Sequence, residues 1–169
     1  MICIRKHRGF SLIELLIVVA IILIIAAIAI PNLMRARMSA NDSSAAASIH
    51  AIDVAEISYF ATFATVGFPA TLVPLGGAMP CTTGVATACL IDDNLAQNGG
   101  GNGKSGYSFA VAVSGAGNVQ YDATAVPLVV NQTGNRSFCA VEDAVVRTKA
   151  DGSDPGAHDV CMGLNPLNQ

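Results

Sequence analysis

The chain has 169 residues, a formal charge of −3, 12% charged side chains and no tryptophan. A chain of this length accommodates one domain plus an extension, and a mildly acidic, charge-poor composition excludes an electrostatic case for nucleic acid as the main partner. The apolar residues are concentrated at the front: from Leu15 to Ile30 every position is Leu, Ile, Val or Ala, and behind that run the chain turns rich in Ala, Ser, Thr, Gly and Asn.

Arg5, Lys6, His7 and Arg8 precede the apolar run. As a helix, Phe10 to Ile30 would extend about 32 Å, the thickness of bilayer hydrocarbon. The basic cluster keeps the N-terminus cytoplasmic by the positive-inside rule. An ordinary secretory signal is the simplest alternative, and Ala27-Ile28-Ala29 offers it a small-x-small cleavage site. Two features oppose it. Glu14 is a costly acid in an apolar segment, and the helical pattern resumes beyond Pro31.

Pro31 lacks an N–H and its ring crowds the carbonyl of Ala27, so a kink is expected there. Asn32 to Phe63 holds no Gly or Pro. Ala45, Ile49, Ile52, Tyr59, Phe60 and Phe63 recur at helical spacing, with Glu56 interrupting the stripe and Asn41, Ser44, Ser48 and Asp53 largely off it. One helix of about 80 Å from Phe10 to Phe63 follows. Its first half (10–31) is apolar all round, and its second half (32–63) is amphipathic and needs a surface to lie on. Arg35 and Arg37 follow the apolar span as headgroup contacts or solvated flanking charges, and His50 reads as a helix-surface residue.

Gly67 and Pro69 stop the helix, and a connector dense in Gly, Pro, Thr and Asn occupies residues 64–106. Strand signals then fill 107–150. "YSFAVAV" places Tyr107, Phe109, Val111 and Val113 on one face. "VQYDATA" alternates Val119, Tyr121, Ala123 and Ala125 against polar residues. Turns fall at 115–118 and 131–135, and "RSFCAV" and "AVVRTK" flank Glu142-Asp143 as a hairpin. About four antiparallel strands with one apolar face would receive the second half of the helix. The tail, 151–169, reads as loop.

Of five cysteines, Cys3 precedes the apolar run, and Cys81, Cys89, Cys139 and Cys161 follow it. Four cysteines allow three pairings; order along the chain favours Cys81–Cys89 and Cys139–Cys161, the latter fastening the tail to the sheet. Neither spacing suits zinc. An apolar leader with paired cysteines points to an oxidising compartment.

The stretch "RGFSLIELLIVVAIILIIAAIAIPNL" resembles the leader and N-terminal helix of type IV pilins and their pseudopilin relatives, and "RARMSANDSSAAASIHAIDVAEISYF" is similar to the second half of their helix. The resemblance covers the front specifically and the last hundred residues loosely. It implies an α+β pilin-like fold and a prepilin leader, 1–9. It implies cleavage between Gly9 and Phe10 by a prepilin peptidase, N-methylation of Phe10, an assembly acid at Glu14 and a helix-bending proline at Pro31. It also implies a structural role rather than an enzymatic one, and no cofactor. The implied partners are further copies of the chain, the peptidase, an inner-membrane assembly platform with its motor ATPase, and membrane lipid before assembly. The implied location is the inner membrane, single-pass, and then a filament outside it. The same residues permit a type II secretion pseudopilin, and a single-pass anchored binding module is the rival from another class. Cleavage after Gly9 would remove Arg5, Lys6 and Arg8, shift the formal charge from −3 to −6, and leave an amine one helical turn from Glu14.

Other motifs carry less. "NGGGNGKS" (Asn98–Ser105) ends like a phosphate-binding loop, but the first required glycine is Asn98 and a strand signal follows instead of a helix. Asp151, Asp154 and Asp159 sit in a turn-rich loop whose spacing does not fit the twelve-residue calcium pattern; some pseudopilins have a calcium site in a similar place. Asn131-Gln132-Thr133 is a glycosylation-type triplet. With His7, His50 and His158 the only histidines, no nucleophile–base set stands out.

Overall fold

The computed structural model describes residues 10–167. The chain divides into two units between Ala36 and Arg37. A single helix, α1 (Leu12–Thr62), supplies the described part of the first unit and the opening of the second. Its bounds lie within two residues of those read from the sequence. Pro31 lies inside α1 and does not end it. Apart from Pro31, the run from Phe10 to Val66 contains neither of the two strong helix breakers; Gly67 closes it. Gly67 adopts φ +85°, and a Cβ there would come within 2.3 Å of the Gly117 carbonyl oxygen. Only glycine allows the chain to leave the helix so close to the 115–118 turn, where the Phe68 N–H bonds Asn118 O at 2.8 Å.

In the second unit the connector forms 3₁₀ turns at Val73–Leu75 and Gly99–Gly101 and a one-turn helix, α2 (Asp93–Ala96), capped by Asp92, whose side chain accepts from the Leu95 N–H. The sheet follows: β1 (Tyr107–Ser114), β2 (Gln120–Pro127), β3 (Ser137–Val141) and β4 (Arg147–Lys149). After the short helix α3 (His158–Met162) comes β5 (Asn165–Pro166). The strands lie side by side in sequence order, every neighbouring pair antiparallel.

Three expectations are corrected. The sheet has five strands rather than about four, because the tail is not simply loop: α3 and β5 are built from it, and Pro166, which cannot donate, is tolerated because β5 is an edge strand. Val119 lies before β2 and is 51% exposed, because the tight turn pairs Ser114 with Gln120 and leaves Val119 in the loop. Ala144, Val145 and Val146 belong to the turn rather than to β4, since Cys139 pairs with Arg147 and Ala144 takes a positive φ.

One sheet face carries the core. Tyr107, Phe109 and Val111 of β1, Tyr121, Ala123 and Ala125 of β2, and Phe138 and Ala140 of β3 meet Ala45, Ile49, Ile52, Ala55 and Tyr59 of α1. The period of two in β1 and β2 and the helical period of α1 thus converge on one layer. Phe68 closes its far end, stacked on Phe60 and tilted against Tyr121 with ring centroids 4.6 and 4.7 Å away. All of β3 is buried. Its second face, Cys139 and Val141, is covered by Cys161 of α3 and by Leu164.

Candidate functional site

The front of α1 is a bare apolar rod. Every large apolar side chain from Phe10 to Met34 is 46–79% exposed. Among the described residues this is the one helix long and apolar enough to cross a membrane. Ser11 stands at its N-terminus, and its backbone N–H donates to Glu14 Oε2 at 3.4 Å, while Ser11 O accepts from the Glu14 and Leu15 N–H groups. That is one half of an S-x-x-E capping box. The Glu14 carboxylate is therefore held over the positive end of the helix, where unpaired N–H groups favour an anion. Phe10 lies beside it, 78% exposed. Gly9, the other half of the predicted cleavage site, and the leader lie outside the described residues. Pro31 is exposed within the helix.

In the head half of α1, beyond the apolar span, three acids are buried: Asp53, which the sequence pattern places largely off the stripe, Glu56, which interrupts it, and Asp42, which the pattern does not single out. Asp42 is 4% exposed. It accepts from the Tyr107 hydroxyl at 2.6 Å, the Asn135 N–H at 3.2 Å and Arg136 Nε at 3.4 Å. Three turns later Asp53, fully buried, accepts from the Tyr121 hydroxyl. The two tyrosines sit on β1 and β2, so the two Asp–Tyr pairs pin the head half of the helix to the sheet at two points. Burial, then the neighbouring carboxylate, pushes both phenols above their ordinary range, so the hydroxyls stay protonated as donors. Glu56 is also fully buried, yet neither of its oxygens has a hydrogen-bond partner among the described residues. The signal that could have found the pairs is the spacing: Asp42 and Asp53 share a face with Ile49 and Ile52, and tyrosines recur on the inward face of both strands.

The family model described as the prokaryotic N-terminal methylation motif matches residues 4–30. The N-terminal segment carries this motif and is similar to the same region of type IV pilins. A type IV wide pilus major component, PilA4, of Thermus thermophilus is 64% identical over 39 residues, 23% of this chain and 30% of that protein. A type IV major pilin protein, PilA, of Myxococcus xanthus is 49% identical over 55 residues, 32% of this chain and 25% of that protein. The matched stretch thus spans less than a third of either relative. No solved structure matches.

Behind this pilin-type front, both favoured cysteine pairs are formed: Cys81 with Cys89 and Cys139 with Cys161, each with Cα atoms 6.1 Å apart. The three loop aspartates do not converge. Asp151 Oδ1 accepts from the Ser153 N–H and hydroxyl, Asp154 Oδ1 accepts from the Gly156 N–H, and Asp159 Oδ1 lies 3.1 Å from His158 Nδ1. Local turns occupy them. His158, which the sequence reading passes over, is largely buried, with Nε2 2.8 Å from Glu142 Oε1. Two carboxylates on its two nitrogens, Glu142 foremost, raise its pKa. In the glycine-rich loop, Asn98 is a structural link: its amide donates to Ser108 Oγ and its Oδ1 accepts from the Phe109 N–H, while Lys104 pairs with Asp92 at 3.0 Å. The loop leads into β1 and presents no helix N-terminus to a phosphate. His50 is exposed, as the sequence reading has it.

Proposed function

We propose that the chain is the structural subunit of a type IV pilus-like filament. It is made as a single-pass inner-membrane precursor, cut between Gly9 and Phe10 by a prepilin peptidase, methylated on Phe10, and assembled by packing of the apolar half of α1 against other copies. The observation that carries this is the front of α1: a rod with every large apolar side chain exposed, matched together with the residues before it by the methylation motif, and interrupted by one acid in its first turn. Such a surface has to lie in lipid or against its own kind. In the precursor Glu14 caps its own helix through Ser11. After cleavage a cationic amine appears on Phe10 of each copy, and that charge is a stronger partner than a 3.4 Å bond to a neutral N–H. Pro31, lacking an N–H, leaves the Ala27 carbonyl without its helical partner and gives the rod a place to bend. The assembly platform and its motor ATPase are the partners this route requires, and the Arg35 and Arg37 side chains would meet headgroups before assembly.

Glu14→Gln separates the two roles of the acid, because the amide oxygen still accepts from Ser11 while the charge is gone. The variant is expected to be processed normally and to enter filaments poorly. Incorporation at the wild-type level refutes the charge-pair reading. Surface filaments lost on deletion favour a pilus subunit; loss of protein secretion without surface filaments favours a pseudopilin.

A further inference from the structure

The filament reading makes no use of the buried Asp53–Glu56 pair. The two residues lie three positions apart on α1, hence on one side of the helix, and both are fully buried against the sheet. Among the described residues, only Asp53 Oδ1 of their four carboxyl oxygens has a partner, the Tyr121 hydroxyl; Asp53 Oδ2 and both Glu56 oxygens have none. Among the described residues no lysine or arginine pairs with either acid. Apart from His50, the groups that act on the pair are acidic or neutral. Tyr121 comes from β2 and Tyr59 from α1 itself, while Asp143 and Glu142 stand farther off on the turn after β3. Arg147, at the start of β4, is committed to Asp143. His50, exposed one turn before Asp53 on α1, makes no ion pair with it, but its charge favours the ionised form of Asp53 and not of Glu56.

Two ionised carboxylates in such a place would be two uncompensated charges in a low-dielectric layer, repelling one another across a single helical turn. Protonating one removes the repulsion and turns one of three orphaned acceptors into a donor. We propose that Asp53 and Glu56 form a proton-dependent lock between α1 and the sheet, closed by a proton retained in the pair and weakened when that proton leaves. Glu56 holds it, because burial and then the Asp53 charge push its pKa up to about 8 from an ordinary 4.5. Asp53, also raised by burial, is partly relieved by the Tyr121 hydrogen bond and is the member that ionises first.

The direction follows from proton counting. Between 4.5 and about 8 the closed head keeps a proton that the opened or unfolded chain has released. Opening therefore becomes easier by up to about tenfold per pH unit across that window and levels off above it. The lock is tightest in acid and loosest in alkali.

The test uses the full chain in detergent. Urea unfolding constants of wild type and of Glu56→Gln are compared at about pH 5, 6.5 and 8. The wild-type to variant ratio is expected to rise at least tenfold over that range; groups not coupled to Glu56, His158 among them, cancel in the ratio. Infrared spectroscopy at neutral pH should show a protonated carboxylic acid band that Glu56→Gln removes. Should the amide not be tolerated, Glu56→Met fills the same space without a titrating group and serves in both measurements. A ratio that is flat with pH, or absence of the acid band at neutral pH, overturns the proposal.

Discussion

The Asp42–Tyr107 clamp gives the account its sharpest energetic test. Tyr107→Phe removes one hydroxyl and leaves the ring in place, so packing is conserved. What is lost is a 2.6 Å hydrogen bond to a carboxylate that is 4% exposed, together with the hydroxyl's 2.7 Å contact to the Arg136 carbonyl oxygen. Hydrogen bonds to charged groups contribute about 1.5–3 kcal/mol, and the carboxylate left behind keeps only the Asn135 N–H and the longer Arg136 contact. With a urea dependence of about 1.5 kcal/mol per molar, the midpoint should fall by about 1–2 M. Asp42→Ala should cost at least as much, since it strands the Asn135 N–H and the Arg136 side chain together. The two changes share one bond, so the double variant should be more stable than the sum predicts by about 1–2 kcal/mol. Proteolysis of the full chain in graded urea, in detergent, reports the unfolded fraction of the head without depending on the membrane helix. Additivity within about 0.5 kcal/mol would mean that the helix is not held through this pair.

Removing the Cys139–Cys161 bridge as a double alanine variant should cost more than removing Cys81–Cys89. The closed loops are 22 and 8 residues, and chain entropy alone gives about 3.4 against about 2.5 kcal/mol; thermal melts that reverse the order contradict the ring-size reasoning. His158, raised by Glu142 and Asp159, contributes stability that is fully present below its ordinary value of about 6.5. That contribution is lost as pH rises through the folded value, so His158→Asn should flatten the melting profile across neutral to mildly alkaline pH. A variant profile as steep as wild type would show that the histidine is not charged in the folded head.

The elements most legible in the sequence were those whose pattern repeats. The Gly-free run to Phe63 and the alternation in "YSFAVAV" each needed only local periodicity, and the helix and β1 fall where those patterns placed them. Val119 was misplaced because the period of two continues through it, while the glycine-rich turn decides where pairing begins. The tail was read as loop because two-residue strands and one-turn helices carry no period; a disulfide and a neighbouring edge create them. Hydropathy assigns acids to solvent, so Asp53 falls largely off the stripe, Glu56 interrupts it, and Asp42 carries no signal at all. Their burial depends on tyrosines 65 and 68 residues away, which no local window contains. The front reads best of all, because a membrane-length apolar run with one acid has few physical explanations.

The most direct measurement on the central claim is the N-terminal mass of the protein isolated from its cells. The account predicts a chain beginning at Phe10 and carrying one added methyl group. A chain beginning at Ile30 would mean ordinary secretion, and an intact Met1 a simple membrane anchor; either result contradicts the filament subunit reading.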